Sequence, residues 1–95
     1  MKILVMRVSL RANWVYSLKE KRMVVKSLIK KLQNTFNISV AEIEDQDIHQ
    51  RITIGISSVA LSSSQCYATI ESIIRFVEKN TDAEIIEVEE EVNQY

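Results

Sequence analysis

The sequence Ser17-Leu18-Lys19-Glu20-Lys21-Arg22 separates a strand pattern from a helix pattern. Ser17 and Glu20 have the spacing of a capping box, in which each side chain accepts a hydrogen bond from a free backbone N–H at the start of a helix. A helix is therefore predicted to run from this box to about Phe36. Its buried stripe consists of apolar residues at helical spacing, namely Val25, Leu28, Ile29, Leu32 and Phe36.

The regions on either side of this helix predict strands. Residues 2–11 alternate along their length, residues 38–44 alternate more weakly, and residues 51–61 follow a polar hairpin loop. Ser62 and Gln65 repeat the capping-box spacing, so a second helix is predicted to about Lys79, followed by a strand over residues 83–92. The stripe of this second helix consists of Cys66, Ile70, Ile73, Ile74 and Val77.

The predicted order β-α-β-β-α-β indicates one α+β domain over residues 1–95. Two right-handed βαβ units of this kind form a ferredoxin-like arrangement, a four-stranded antiparallel sheet with both helices on one face. Its usual strand order, 4-1-3-2, predicts that Arg7 and Arg11 face Glu87 and Glu89 across the open side of the sheet. Apolar residues predicted on this open face suggest pairing with a second copy; they are Ile3, Val5, Ala41, Ile43, Val59 and Ile85.

Composition narrows the class of protein. At 46% hydrophobic and 26% charged residues, the chain has the composition of a globular domain rather than a disordered one. Arg7 interrupts the apolar start of the chain, so neither a signal peptide nor a membrane span is predicted. A single cysteine, Cys66, excludes an internal disulfide. These features predict a cytoplasmic protein.

Charge is distributed very unevenly along the chain. Up to Lys31 there are nine basic residues and one acidic residue, whereas from Leu32 onward there are three basic and twelve acidic residues. Cations in the first helical turn oppose the helix dipole at a cost of roughly 0.3–1 kcal/mol each, so helix stability does not explain their presence. A polyanionic partner does explain it.

A basic helix face is the leading candidate site. Lys19, Arg22, Lys26 and Lys30 lie within about 80° of one another on a helical projection, so several of them can follow a phosphate backbone. The alternative is a solvated face that serves solubility. The predicted RNA- or partner-binding residues combine this face with flanking cations and with two aromatic residues for base stacking: Arg11, Trp14, Tyr16, Lys19, Lys21, Arg22, Lys26 and Lys30.

The sequence does not distinguish RNA from two other ligands of this surface. An acidic protein can pair with the same cations as RNA does, and a dimeric module that binds a small regulatory ligand uses the same topology. Trp14 has a structural alternative too, since a tryptophan in a loop often folds over the end of the core. The affinity for RNA should fall steeply as the salt concentration rises, and this dependence distinguishes RNA from a protein partner.

No catalytic, metal or cofactor site is predicted. Glu44, Asp45, Asp47 and His49 have a metal-like composition, but acidic residues in a polar hairpin loop also satisfy their own backbone. Cys66 falls on the buried stripe, and no nucleophile, base and oxyanion set can be assembled. Residues 11–17 contain no glycine, which excludes the phosphate loop of an acylphosphatase. The chain is therefore predicted not to be an enzyme.

Several segments together resemble the YlxP-like family of small bacterial proteins, a domain of unknown function. They are Ser-Leu-Lys-Glu-Lys-Arg at 17–22, Val-Val-Lys-Ser-Leu at 24–28, Phe-Asn-Ile-Ser-Val-Ala-Glu at 36–42, and Gln50-Arg51. The resemblance implies a ferredoxin-like fold. Because the genes of the family tend to lie near those for translation initiation and ribosome-binding factors, it also implies a cytoplasmic role near RNA or a ribosomal particle. The chain departs from the family in the bulky loop Asn13–Tyr16 and at His49, where tryptophan is commoner.

Overall fold

The chain forms six elements in the predicted order. The computed structural model describes all residues from Met1 to Tyr95. The elements are β1 (Lys2–Arg11), α1 (Leu18–Thr35), β2 (Ser39–Glu44), β3 (Arg51–Ala60), α2 (Ser63–Asn80) and β4 (Glu84–Gln94).

Both helices begin with the predicted cap. The Oγ atom of Ser17 accepts a hydrogen bond from the backbone N–H of Glu20 at 3.1 Å, and Ser62 does the same for Gln65 at 3.2 Å. The return bond reaches one residue further back than the capping box predicts. Glu20 accepts from the N–H of Tyr16, and Gln65 from that of Leu61. Each cap therefore also fixes the residue that precedes it.

The four strands form one antiparallel sheet in the order β2-β3-β1-β4. β1 lies between β3 and β4, and it pairs with each of them along its whole length. Both helices pack on one face of this sheet, α1 against β2 and α2 against β1, β3 and β4. This is the ferredoxin-like α+β fold that the sequence predicts.

The core lies between the sheet and the helices. Eighteen buried hydrophobic residues form one cluster, which includes the even-numbered residues of β1 from Leu4 to Leu10 and most of the predicted stripes of both helices. The remaining stripe residues, Ile29, Phe36 and Ile74, are partly buried and pack against this cluster. Cys66 is fully buried within it. At the ends of α1 and α2, the rings of Phe36 and Phe76 meet edge to face with centroids 5.5 Å apart. The two helices are therefore joined by an aromatic pair as well as by the sheet beneath them.

The pairing of β1 with β4 departs from the prediction at two positions and contains a bulge. Arg7 lies opposite Glu89 as predicted, and their side chains form an ion pair at 3.5 Å. Glu87 lies opposite Ser9 rather than Arg11, and the register then shifts between Ser9 and Leu10, so Arg11 lies opposite Glu84. The same shift places Ile85 opposite Leu10, against the core. The prediction that Ile85 lies on the open face is therefore wrong, because strict alternation does not hold through a bulge.

The open face of the sheet carries a shallow apolar depression. Ile43 packs over Gly55, the only glycine in the chain, so closely that a Cβ atom on Gly55 would lie 2.9 Å from Cγ2 of Ile43. Val5 and Val59 are exposed on the same face, and Arg7 bridges from Glu89 to Glu44 at its edge. No element of the chain covers this face.

Candidate nucleic-acid interface

The basic helix α1 and the acidic strand β4 lie toward opposite edges of the sheet. α1 packs on the side of edge strand β2, whereas β4, the other edge strand, carries the acidic residues of the C-terminal region. The exposed carboxylates of β4 thus lie along the edge strand that is farthest from β2, the strand against which α1 packs. They are Glu84, Glu87, Glu89, Glu90 and Glu91.

Three of the predicted basic residues line one groove between α1 and β2. Arg22, Lys26 and Lys30 occupy successive turns of the helix, with a rise of about 6 Å from each residue to the fourth after it. The groove has a volume of about 690 Å³. Besides these cations, its lining consists of two apolar residues, two amide side chains and one carboxylate: Val25, Ile29, Gln33, Asn34 and Glu42.

Lys19 and Met23 lie at the beginning of the same helix face. Lys19 is exposed one turn before Arg22, and it is not among the residues that line the groove. The Met23 side chain is 66% exposed. The predicted basic face is therefore continuous from Lys19 to Lys30, and the groove occupies its second to fourth cations.

Lys21 does not belong to this exposed surface. The residue is 0% exposed, and its Nζ atom lies 2.9 Å from Oε2 of Glu42 on β2. The same ammonium group donates a hydrogen bond to the backbone oxygen of Asp45. The prediction that Lys21 extends the binding patch is thus wrong with respect to its accessibility. The unfavourable interaction of its charge with the N-terminal end of the helix dipole is offset by these two partners.

Glu42 is the only acidic residue in the groove. Its side chain is 17% exposed, and Lys21 is its only ion-pair partner. The buried Oε2 atom lies 2.9 Å from the Lys21 ammonium, so the two groups form a close ion pair. Glu42 therefore lines the groove as the counter-charge of the buried Lys21.

The aromatic loop lies outside the groove. Trp14 is 42% exposed and Tyr16 is 77% exposed, whereas Val15 between them is fully buried and closes that end of the core. The side chain of Gln50 holds the loop by donating hydrogen bonds to the backbone oxygens of Asn13 and Val15. Both rings thus stay available to solvent before the first turn of α1.

Arg11 also lies outside the groove. It ends β1 between Arg51 on β3 and Glu84 on β4, in register with both. Arg11 is exposed, and it is not among the residues that line the groove. Its contribution to the binding patch stays a prediction.

Asp45, the first acidic residue of the β2–β3 loop, bonds to residues of the chain itself. Asp45 has a φ of 59°, in the left-handed region that aspartate tolerates. Its Oδ2 atom accepts a hydrogen bond from the hydroxyl of Thr53 at 2.8 Å and forms an ion pair with Arg51 at 3.2 Å. No three His, Cys, Asp or Glu side chains form a group that could hold a metal ion. Asp45 thus anchors the loop to β3.

Sequence reasoning missed the polar lining of the groove. Gln33 falls between Arg22 and Lys26 on a helical projection, so helical spacing alone was a sufficient signal for it. Glu42 carried no such signal, because its place in the groove depends on how β2 is positioned beneath α1.

Comparison with solved structures supports the class of fold. The fold is ferredoxin-like, and a solved structure described as "De novo designed protein Foldit4" matches it with a TM-score of 0.53 at 13% identity, covering 100% of this chain and 99% of the other. That likeness concerns the fold alone. Neither α1 nor α2 has the length and apolar composition of a membrane-spanning helix.

Sequence comparison then identifies the family. Residues 3–90 match the family model described as "Protein of unknown function (DUF503)". The chain is 38% identical over 68 residues to "Uncharacterized protein YlxP" of Bacillus subtilis (strain 168). The aligned residues cover 72% of this chain and 74% of that protein. The chain belongs to this YlxP-like family, as its sequence motifs predict.

Proposed function

We propose that the protein is a non-enzymatic, cytoplasmic RNA-binding protein that contacts structured RNA or a ribosomal particle through the groove between α1 and β2. The single observation that carries this proposal is the alignment of Arg22, Lys26 and Lys30 along one groove. Several Lys/Arg side chains in one groove can contact the phosphates of a nucleic-acid strand, which gives salt-sensitive binding.

The three cations are free to bind an external anion. None of them forms an ion pair within the chain, whereas Lys21, Arg7, Arg51 and Arg75 all do. The carboxylate of Glu42 in the groove is matched by the buried ammonium of Lys21. The groove therefore keeps the positive charge of three side chains, at the opposite edge of the sheet from the acidic strand β4.

The remaining lining suits RNA better than a simple anion. Gln33 and Asn34 offer both donors and acceptors, which allow contacts to base edges or sugars in addition to phosphates. The exposed rings of Trp14 and Tyr16 lie before the helix, where an unpaired base can stack on them. In this proposal, the helix provides affinity through phosphates, and the amide and aromatic groups contribute specificity.

Recovery of the tagged protein from cells, with and without nuclease treatment, tests this function. We expect RNA to copurify with the protein, to be lost after nuclease treatment, and to be released as salt is raised. Sequencing the recovered RNA identifies the partner. Recovery of the same proteins with and without nuclease, and no enrichment of RNA, would contradict the proposal.

An acidic protein is the second candidate, and one feature of the groove favours it. Glu42 belongs to an edge strand, β2, whose outer backbone groups have no partner in the sheet. An extended acidic segment can add to such an edge while its carboxylates meet the cations of α1. A nuclease-resistant partner in the same recovery experiment would favour this candidate.

A further inference from the structure

We propose that the RNA in the groove is unpaired where it leaves the first turns of α1, and that its bases stack there on Trp14, Tyr16 and His49. The inference rests on the proposed function, because it assumes that the cations of α1 hold a nucleic-acid backbone. It adds the class of RNA that is bound, one with accessible unpaired bases, and it includes His49 among the residues that bind it.

Two loops adjoin each other at one end of the sheet. They are the β1–α1 loop over residues 12–17 and the β2–β3 loop over residues 45–50. The backbone N–H of Ala12 donates a hydrogen bond to the backbone oxygen of Gln50 at 2.9 Å. The Gln50 side chain in turn donates to two backbone oxygens of the first loop. Residues carried by either loop therefore lie close together, although they are far apart in the chain.

This pair of loops also adjoins the end of the groove at which α1 begins. Lys21, the residue before Arg22, donates a hydrogen bond to the backbone oxygen of Asp45 in the β2–β3 loop. The backbone N–H of Tyr16, in the other loop, donates to Oε1 of Glu20 in the first turn of α1 at 3.2 Å. A strand that runs along the groove past Arg22 therefore reaches these two loops next.

The two loops present three aromatic rings to solvent. Trp14 is 42% exposed and Tyr16 is 77% exposed, and His49 is exposed as well. Val15, which is fully buried between the first two, closes the core at this point, so the rings beside it are free of that role. Tryptophan, tyrosine and histidine are among the side chains on which unpaired bases stack in RNA complexes.

Stacking on these rings requires bases that lie outside a duplex. Within an RNA helix the bases stack on one another, so a side-chain ring reaches their faces only in loops, bulges and ends. Cations alone contact phosphates and carry no preference of this kind. A basic groove combined with exposed aromatic side chains is typical of proteins that bind single-stranded nucleic acid. The geometry therefore favours RNA with an unpaired segment over a continuous duplex.

The first measurement changes only the bases of the ligand. One labelled RNA duplex carries a short uridine extension at both ends of one strand, and a second carries abasic extensions with the same number of phosphates. We expect the parent protein to bind the first at least about tenfold more tightly, the lower range of what stacking on aromatic side chains contributes. Equal affinities, with both lost in the Arg22→Glu/Lys26→Glu variant, would overturn the inference and leave the proposed function standing.

The second measurement changes the rings. The Trp14→Ala/Tyr16→Ala/His49→Ala variant should bind the two duplexes equally, and its affinity should keep the parent's dependence on salt. Tyr67→Ala removes an exposed ring from α2 and is the matched control, which should keep the preference for uridine. A thermal melt establishes that each variant folds. A preference that persists in the triple variant would overturn the assignment to these rings, and one unchanged in His49→Ala alone would overturn the assignment of His49.

A third measurement needs no substitution. Trp14 is the only tryptophan in the chain, so the tryptophan fluorescence of the parent reports on this loop alone. We expect the duplex with uridine extensions to quench it, and the abasic duplex to leave it nearly unchanged at saturation. Unchanged fluorescence with both duplexes at saturation would overturn the inference. Absence of salt-sensitive binding of either duplex by the parent would overturn both proposals.

Discussion

The Nζ atom of Lys21 and the Oε2 atom of Glu42 lie 2.9 Å apart, and this ion pair joins the first turns of α1 to the edge strand β2. Lys21 is fully buried, whereas Glu42 keeps partial contact with the groove. The pair thus links the packing of the helix to the wall of the candidate site. It also explains how a lysine can occupy the buried side of α1.

Removal of one partner of this pair should destabilise the fold strongly. Lys21→Met leaves the carboxylate of Glu42 without a counter-charge, and breaking a buried pair in this way costs ~3–5 kcal/mol. Urea unfolding of the purified variant gives the free energy of unfolding. Lys19→Met, on the exposed face of the same helix, is the matched control and should lie within about 0.5 kcal/mol of the parent. If both variants unfold at the parent's urea concentration, Lys21 is not held as described.

Gly55→Ala should destabilise the sheet through Ile43. The added methyl group would lie 2.9 Å from Cγ2 of Ile43, so the side chain or the strand must shift. Overpacking of this kind costs ~1–3 kcal/mol. The second substitution Ile43→Ala removes the obstruction, so Gly55→Ala should cost less in that background. Chemical denaturation of the four variants of the cycle measures the coupling, and additive effects would show that the contact is not tight.

Large-to-small substitutions in the helix stripes should have large effects. Leu28 is 2% exposed and Ile73 is 0% exposed, so replacing either by alanine should cost ~2–5 kcal/mol through lost burial and a residual cavity. Val59→Ala, at an exposed position of the sheet, serves as the control. Thermal or urea melts of the helix variants that coincide with the parent's would show that these residues are not in the core.

The fold followed from local signals that agree with one another. The two serine caps, the helix stripes and the alternation of β1 predicted the element order, and the ferredoxin-like topology then determined the strand order. The bulge after Ser9 could not be predicted, because an extra residue in β4 leaves no compositional mark. Its effect was to move Ile85 from the open face to the core.

The candidate site was predicted in part. Helical spacing correctly placed Arg22, Lys26 and Lys30 on one face. The same spacing should have shown that Lys21 precedes Val25 and Leu28 by four and seven residues, in the middle of the buried stripe. Its positive charge concealed that signal. Its partner Glu42 is distant in the chain, and only tertiary structure brings the two together.

The central claim is that the groove cations bind RNA, and a binding titration of matched charge reversals tests it most directly. The parent protein is compared with Arg22→Glu/Lys26→Glu and with Lys31→Glu/Lys79→Glu, which makes the same change of charge at exposed positions outside the groove. Circular dichroism checks that each variant is folded. Fluorescence anisotropy of a labelled RNA, measured over a range of salt concentrations, gives the affinities.

We predict that the groove reversal abolishes RNA binding, that the control reversal has little effect, and that the parent's affinity falls with salt at a log–log slope of roughly −0.7 per phosphate contact on a single strand. Equal losses in the two variants would indicate nonspecific attraction. No binding of RNA by the parent at low salt would contradict the account directly.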